Sequence, residues 1–290
     1  MSVSPRSMLF VSAEKPERFA KAITSGADMV CIDLEDAVHP DNKTSARDAV
    51  LAFLETRDPQ ADSVLLGLRI NAIETTEGLS DLHSLMLAQP ALDVVVLPKV
   101  NSATEIRLAR RWLQGCCQQM VALIESPAGI EQAAGIAAAG QLSGSGPELL
   151  ALMLGGADLA AELGAAFSWD SLLSARGRLV NAAKAAGIQA WDVPFLGLNE
   201  PDALEHETRA VRAMGFDCKS AIHPAQLAAI HTAFQPSEAE LQWAQGVVKA
   251  GEQHGHGADG DGAAGAFLYQ GKMVDLPVLM HARRLLAQAH

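Results

Sequence analysis

The chain has 290 residues, of which 49% are hydrophobic and 4% aromatic, and its formal net charge is −12. The length exceeds what one small core needs and suits a single barrel domain. An acidic chain with no Lys/Arg run longer than two residues argues against nucleic acid or an anionic membrane as its partner. No apolar run approaches the ~18 residues that span a bilayer, and the N-terminus lacks a secretory signal, so we expect a soluble, cytoplasmic protein.

Short β-branched runs alternate with segments of helical period along most of the chain. The predicted strands are 7–12, 29–35, 64–71, 94–100, 120–126, 150–158, 189–193 and 218–223. The predicted helices include 16–25, 44–56, 103–113, 130–139, 171–186, 200–214 and 225–233. Eight such units predict an α/β fold, a (β/α)₈ TIM barrel, over residues 1–235. No Gly-x-Gly-x-x-Gly follows the first strand, which disfavours a dinucleotide-binding sheet.

Beyond the barrel, we predict a C-terminal helical extension over residues 236–290. It contains a Gly/Ala/His/Asp stretch at 254–265, whose composition is typical of a flexible linker. A His/Asp-rich stretch can also bind metal, but these glycines leave such ligands unorganised. The apolar helix after the linker needs a surface to cover, and a neighbouring subunit is one candidate.

Charged residues stand at the carboxyl ends of the predicted strands, where barrel enzymes carry their chemistry. Strand alternation directs Asp33 and Glu35 on one strand, and Arg69 and Glu125 on two others, into the barrel. Further polar residues follow the same strands or neighbouring ones: Asp36, Asn71, Lys99, Asp158 and His223. Together these residues predict a site at one mouth of the barrel.

Crowded carboxylates repel one another, and a hard divalent cation relieves that repulsion. Glu125 and Asp158 end adjacent predicted strands and are our candidate ligands, because Mg²⁺ is commonly bound by two carboxylates with water and substrate oxygens. Other roles stay open at this stage. Asp158 can begin a helix as its N-cap, Asp36 can cap a loop, and Arg69 can bind either a substrate carboxylate or Asp33 and Glu35.

Seven motifs occur in an order that resembles the HpcH/HpaI aldolase and citrate lyase β-subunit superfamily over nearly the whole chain. They are Arg-Ser-x-Leu-Phe-Val at 6–11, Ile-Asp-Leu-Glu-Asp-Ala-Val at 32–38, Arg-Ile-Asn at 69–71, Leu-Pro-Lys-Val at 97–100, Ile-Glu-Ser-Pro-Ala-Gly-Ile at 124–130, Gly-Gly-Ala-Asp-Leu-Ala-Ala-Glu-Leu-Gly at 155–164 and Lys-Ser-Ala-Ile-His-Pro-Ala-Gln at 219–226. The long tail resembles the branch of citrate lyase β-like, malyl-CoA and citramalyl-CoA lyases.

The resemblance implies that Glu125 and Asp158 bind Mg²⁺ and contact the substrate, while Arg69 holds the carboxylate of the oxo-acid half. Glu35 and Asp36 would then order the metal-bound waters. Met273-Val-Asp275-Leu-Pro277 resembles a tail segment that brings an acid/base aspartate into a neighbouring subunit's site. Asp275 is therefore our candidate for that role, in a homotrimer or hexamer; its alternative role is to cap the last helix.

The function implied is Mg²⁺-dependent cleavage of a 3-hydroxy-3-carboxy acyl-CoA thioester, of the citramalyl-CoA or malyl-CoA type, into a 2-oxo acid and acetyl-CoA. Two alternatives remain: the β subunit of a citrate lyase complex acting on citryl-acyl-carrier protein, and a non-catalytic ligand-binding barrel. One departure bears on the carrier. The family usually has Pro-Gly after the first strand, where this chain has Ser12-Ala13. The roles of nearby Lys15, Arg18 and Lys21, and the choice between CoA and acyl-carrier protein, stay open.

Overall fold

The computed structural model describes residues 5–58, 64–141, 145–255 and 265–287. The chain divides into two compact units, residues 1–231 and residues 232–290. The linker predicted at 254–265 stays a prediction, because residues 256–264 lie outside the described part of the chain.

The first unit contains a closed barrel of eight parallel strands in sequential order, with the first strand paired to the eighth. This confirms the predicted (β/α)₈ TIM barrel. The strands are β1 (Ser7–Ser12), β2 (Met29–Asp33), β3 (Leu65–Arg69), β4 (Leu92–Leu97), β5 (Cys117–Ile124), β6 (Glu148–Leu154), β7 (Gln189–Asp192) and β8 (Cys218–Ala221).

Helices follow the strands, as the alternating pattern predicts. They are α1 (Phe19–Ile23), α2 (Lys43–Thr56), α3 (Thr76–Ala88), α4 (Ala103–Trp112), α5 (Pro127–Ala139), α6 (Gly156–Glu162), α7 (Trp169–Ala185), α8 (Pro201–Met214) and α9 (Leu227–Phe234). Local signals set their starts: Ser126 accepts a hydrogen bond from the Gly129 N–H, and Pro127 occupies the first turn of α5. None of the described helices is long and apolar enough to cross a membrane.

The barrel interior is filled by alternate residues of the strands, including Met29 and Cys31 of β2 and Val121 and Leu123 of β5. The same period of two continues beyond them to Asp33 and Glu125. Polar groups therefore begin where the apolar interior ends, at the carboxyl mouth of the barrel. The four cysteines are free thiols: Cys31, Cys116 and Cys218 are buried and Cys117 is partly buried.

Seven of the eight predicted strands run past the observed carboxyl end, and in two of them this changes the position of a site residue. Strand β2 ends at Asp33, so Glu35 lies in the following loop, although it is still buried. Strand β6 ends at Leu154, because Gly155 turns the chain into α6; Asp158 therefore lies in the first turn of a helix. Its alternative role as N-cap was also wrong, since Gly155 occupies the N-cap position.

The second unit pairs helices α10 (Glu238–Gln253) and α11 (Leu276–Ala287) with an antiparallel hairpin of β9 (Phe267–Tyr269) and β10 (Lys272–Val274). Its core is formed by apolar residues of both helices and the hairpin, including Val247, Phe267 and Leu279. Gln270 and Gly271 both have positive φ, 49° and 76°, which a tight two-residue hairpin turn requires.

Candidate active site

The carboxyl ends of five strands bring together five carboxylates and two cations within the first unit. We call this group the mouth cluster. Its members are Asp33, Glu35, Asp36, Arg69, Lys99, Glu125 and Asp158. Five acidic and two basic side chains give the ionised cluster an excess of three negative charges, so the cluster as a whole attracts a cation.

Arg69, the last residue of β3, is held in place from several sides. Its Nε and Nη2 atoms donate to the two carboxylate oxygens of Asp33 at 2.7 and 2.6 Å, and its Nη1 lies 2.9 Å from Glu35 Oε2. The ring of Phe10 lies 5.1 Å from the guanidinium carbon. The ion pair with Asp33 and Glu35 is therefore present, and it fixes the direction of the guanidinium at the mouth.

Burial alone would lower the pKa of Arg69, but its bonds with Asp33 and the charge of Glu35 outweigh that and raise it. Burial raises the pKa of Glu35, while Arg69 and Lys99 oppose the rise. Lys99 Nζ lies 2.5 Å from Glu35 Oε1 and 3.6 Å from Asp36 Oδ1. Glu35 thus lies between both cations of the cluster, and Asp36 is near both of them at greater exposure.

Glu125 follows β5 and is buried, and its Oε1 accepts a 2.7 Å hydrogen bond from the backbone N–H of Lys99. Burial, followed by repulsion from Glu35, raises its pKa to about 8. Gly155 faces this carboxylate so closely that a Cβ there would lie 2.3 Å from Glu125 Cβ and 2.5 Å from Oε2. The glycine provides the space that the Glu125 side chain occupies.

A cavity of about 340 Å³ opens beside the mouth cluster. Five of the cluster's side chains line it, and Arg69 is the only cation among the described lining residues. The remaining lining residues are all apolar or glycine: Phe10, Ala37, Leu123, Met153, Leu154, Gly155, Gly156, Ala157, Phe167, Val193, Pro194, Leu196 and Ile222. The cavity therefore combines one acidic region around a single arginine with a hydrocarbon lining.

The cluster fits a hard divalent cation that retains water. Within the described ranges, no group of three or more His, Cys, Asp or Glu residues is arranged to hold a metal by itself. Glu125 and the half-exposed Asp158 both line the cavity and offer carboxylate oxygens. Two carboxylates with water and substrate oxygens are a common Mg²⁺ environment. The excess negative charge of the cluster and the raised pKa of Glu125 also favour the binding of a cation at this place.

A second cavity, of about 540 Å³, lies between the loops after β1 and β8 and shares Phe10 and Ile222 with the first. Its charged lining consists of Lys15, Arg18 and Lys21, with His223 as a further polar residue. The sequence alone predicts no specific role for His223. Its position in Ala221-Ile-His223-Pro224, directly after the last strand, was the signal that pointed to the mouth.

Asp275 belongs to the second unit, and the mouth cluster belongs to the first. Its Oδ1 accepts a 3.3 Å hydrogen bond from the Val278 N–H, and its carbonyl accepts from the Leu279 N–H at the start of α11. The capping role considered for Asp275 is therefore present. Its acid/base role stays a prediction.

Known proteins resemble this chain in sequence and fold. A family model described as HpcH/HpaI aldolase/citrate lyase matches residues 6–224, which include every member of the mouth cluster. The chain belongs to the HpcH/HpaI aldolase/citrate lyase family. The resemblance that the motifs indicated is confirmed, and so is the expectation of a carbon–carbon lyase.

Similar proteins within the family match over nearly the full chain. A citrate lyase subunit beta-like protein of Mycobacterium tuberculosis is 37% identical, covering 97% of this chain and 94% of that protein. A (3S)-malyl-CoA thioesterase of Cereibacter sphaeroides is 33% identical, covering 98% and 94%. The crystal structure of M. tuberculosis CitE in complex with magnesium, acetoacetate and coenzyme A has a TM-score of 0.82 at 34% identity, covering 100% of this chain and 99% of that one.

Proposed function

We propose that this protein is a Mg²⁺-dependent lyase that cleaves a 3-hydroxy-3-carboxy acyl-CoA thioester, of the citramalyl-CoA or malyl-CoA type, into a 2-oxo acid and acetyl-CoA. The observation that carries the proposal is the mouth cluster. A buried Glu125 with a pKa raised to about 8 and Asp158 line one cavity with a fixed Arg69. The CitE structure with magnesium and coenzyme A supports the metal and the carrier.

Each residue then has a defined task. Glu125 and Asp158 would hold the cation, and Glu35 and Asp36 would order its waters. Arg69 lines the cavity and would donate hydrogen bonds from its guanidinium N–H groups to the substrate carboxylate. When bound, Mg²⁺ supplies Lewis-acid stabilisation to the substrate's oxygens. When a base takes the proton of the C3 hydroxyl, the electron pair on that oxygen forms the carbonyl of the 2-oxo acid and the bond between C2 and C3 breaks. The electron pair left on C2 of the thioester then takes up a proton from an acid, for which Asp275 is our candidate.

The second cavity supports CoA as the carrier. Lys15, Arg18 and Lys21 place positive charge beside a space that adjoins the first cavity at Phe10 and Ile222. An acyl group in the first cavity and the CoA phosphates in the second would match this division of charge. We expect K15A/K21A to raise KM for the CoA thioester about 10-fold or more. R107A/R111A, which also removes two exposed positive charges, is the control and should leave KM unchanged.

The apolar lining favours the proposed substrates over citryl thioesters. A citryl group carries an additional carboxymethyl arm, and burying its charge without a cation partner is costly. Arg69 is the only cation among the described lining residues, and it would already hold the first carboxylate. Cleavage of citramalyl-CoA with a kcat/KM at least ~10-fold above that for citryl-CoA is expected. The reverse preference, or activity confined to citryl-acyl-carrier protein, would favour the citrate lyase β subunit.

We further propose that Asp275 acts in a neighbouring subunit of a homotrimer. Support comes from Leu268 and Met273, a cross-strand pair of the hairpin that is about 70% exposed and lies close in sequence to Asp275. Such a pair is suited to covering another surface. In a mixing experiment, E125Q and D275N would each be inactive alone, and their mixed trimers would regain activity at about one quarter of the sites. No recovery after verified subunit exchange would place Asp275 in its own subunit's site or outside catalysis.

A further inference from the structure

Lys99 adopts a backbone conformation that lysine rarely takes. Its φ is +54°, and among the described residues only Gln89 and Gln270 share this property without being glycine. Gln89 caps the end of α3, and Gln270 lies in the hairpin turn, where the left-handed conformation is usual. Lys99 has neither role, because it follows β4 directly after Pro98. A strained non-glycine residue of this kind points to a functional constraint.

The conformation lets Lys99 contact the mouth cluster in two independent ways. Its backbone N–H donates to Glu125 Oε1 at 2.7 Å. Its ammonium lies 2.5 Å from Glu35 Oε1 and 3.8 Å from Asp158 Oδ2. The main chain thus orients one of the two proposed metal ligands, while the side chain places a positive charge beside the other.

We propose that the Lys99 ammonium competes with the divalent cation for Asp158 and thereby sets the Mg²⁺ concentration at which the site fills. The inference rests on the proposed function, in which Glu125 and Asp158 hold the metal. A cation that binds Asp158 comes close to the ammonium, and two positive charges at short range in a partly buried site repel strongly. The Lys99 side chain is 43% exposed, so it can turn away while it keeps Glu35 or Asp36 as a partner.

Arg69, the other cation of the cluster, is not suited to this role. Its fork is fixed on Asp33 by two hydrogen bonds, and the side chain is only 12% exposed. A flexible lysine at the rim can exchange its partners, whereas a buried, bidentate arginine cannot do so without leaving Asp33 unpaired. The competition is therefore assigned to Lys99 alone.

Three variants of the full chain separate the ammonium from the backbone. K99M removes the charge and keeps a side chain of similar length. K99R keeps the charge. K99G removes the charge and also relieves the strain of a positive φ. All three retain the backbone N–H that Glu125 accepts.

The test is isothermal titration calorimetry with MgCl₂ on each purified protein after treatment with EDTA. We expect K99M and K99G to bind Mg²⁺ about 5- to 30-fold more tightly than the wild type, and K99R to stay within about threefold of it. The increase in Tm on adding a fixed Mg²⁺ concentration should also be larger for K99M and K99G, and the added stabilisation should follow the logarithm of their gain in affinity. Higher KCl should reduce the difference between K99M and the wild type, because salt screens the repulsion.

Equal or weaker Mg²⁺ binding by K99M and K99G, beside measurable binding by the wild type, would overturn the inference and leave the proposed function standing. No Mg²⁺ binding by the wild type or any variant would overturn the metal assignment and the inference together. Binding by K99M and K99G at concentrations where the wild type shows none would support strong competition. Melting curves in EDTA establish that each protein is folded before these outcomes are compared.

Discussion

Two ion clusters in the first unit differ in charge balance. The difference distinguishes a cluster suited to stabilising the fold from one suited to binding a cation. The mouth cluster sets five carboxylates against two cations. The second cluster, which we call the outer network, sets two carboxylates against two cations. Its members are Arg176, Asp192, Glu207 and Lys219. Arg176 Nε and Lys219 Nζ each lie 2.8 Å from Asp192, and Lys219 Nζ lies 2.8 Å from Glu207.

The consequence of charge balance is visible in one carboxylate of each cluster. Burial would raise the pKa of Asp192, but the charges of Lys219 and Arg176 outweigh it and lower the pKa. Burial raises the pKa of Glu125 to about 8, and Glu35 adds to the rise. The neighbouring cations thus compensate the charge of Asp192, whereas the residues around Glu125 do not compensate its charge. The outer network also fixes the cavity lining, since Lys219 Nζ donates to the Val193 carbonyl.

The largest effect should come from breaking the outer network. Asp192→Asn leaves two buried cations without their shared carboxylate, so we expect the free energy of unfolding to fall by about 3–5 kcal/mol. Urea unfolding measures this loss directly. Below the transition, the Kd for Mg²⁺ should stay within threefold of the wild type. A large loss of Mg²⁺ affinity in the folded variant would mean that the two clusters are not independent.

Glu125→Gln should lower activity and Mg²⁺ affinity without lowering the stability of the fold, the opposite of what we expect for Asp192→Asn. The amide keeps the shape of the side chain but removes the charge, so we expect kcat to fall on the order of 10²-fold or more and Mg²⁺ affinity to fall with it. In EDTA, the variant should be at least as stable as the wild type, because it buries no unpaired carboxylate. Near-wild-type activity in a well-folded Glu125→Gln protein would contradict the metal assignment.

The pH dependence of stability gives a further test of the difference between Glu125 and the charge-balanced outer network. The pKa of Glu125 is about 8 in the folded protein, above its ordinary value of 4.5, so folding favours the protonated form. Its stabilising contribution is complete below about pH 4.5 and is lost as the pH rises through about 8. In EDTA, Glu125 should lower the free energy of unfolding by at most ~1.4 kcal/mol per pH unit across that window. The free energy of unfolding, measured by urea titration at several pH values, should fall with pH in the wild type by this slope more than in Glu125→Gln. Saturating Mg²⁺ should reverse the sign of the slope in the wild type.

The smallest effect concerns the space around Glu125. Gly155→Ala would place a methyl carbon 2.3 Å from Glu125 Cβ, and the carboxylate would have to move. We expect a loss of Mg²⁺ affinity of about 10-fold, roughly 1.4 kcal/mol, by calorimetry. Gly177→Ala in α7 is the matched control, because a Cβ there has no heavy atom within 4 Å. Unchanged Mg²⁺ binding by Gly155→Ala would show that the position of Glu125 is not critical.

The sequence was sufficient for features that depend on local periodicity. Alternating strands and helices gave the barrel, and the period of two placed Asp33, Arg69 and Glu125 at its mouth, where the structure has them. Period alone does not say where a strand ends. Gly155 turns the chain at a point where the apolar pattern continues, so the pattern predicts a strand up to Asp158, although that residue lies in α6.

Other features arise from contacts between residues that are distant in sequence. The Lys99 N–H donates a hydrogen bond to Glu125, and Gly155 leaves space beside the same carboxylate. Both contacts are between residues that follow different strands. Nothing in Leu-Pro-Lys-Val at 97–100 indicates a left-handed backbone. The charge balance of the outer network likewise cannot be predicted from the sequence, because Arg176, Asp192 and Lys219 lie on three different elements.

The central claim is that the mouth cluster binds Mg²⁺ in order to cleave a carboxylate-bearing acyl thioester. Its most direct test follows 2-oxo acid release from malyl-CoA, citramalyl-CoA and citryl-CoA by the purified protein, with and without EDTA. We predict cleavage of citramalyl-CoA or malyl-CoA that EDTA abolishes and added Mg²⁺ restores. Release that is insensitive to EDTA, or no release from any of the three by a folded protein that binds Mg²⁺, would contradict the account.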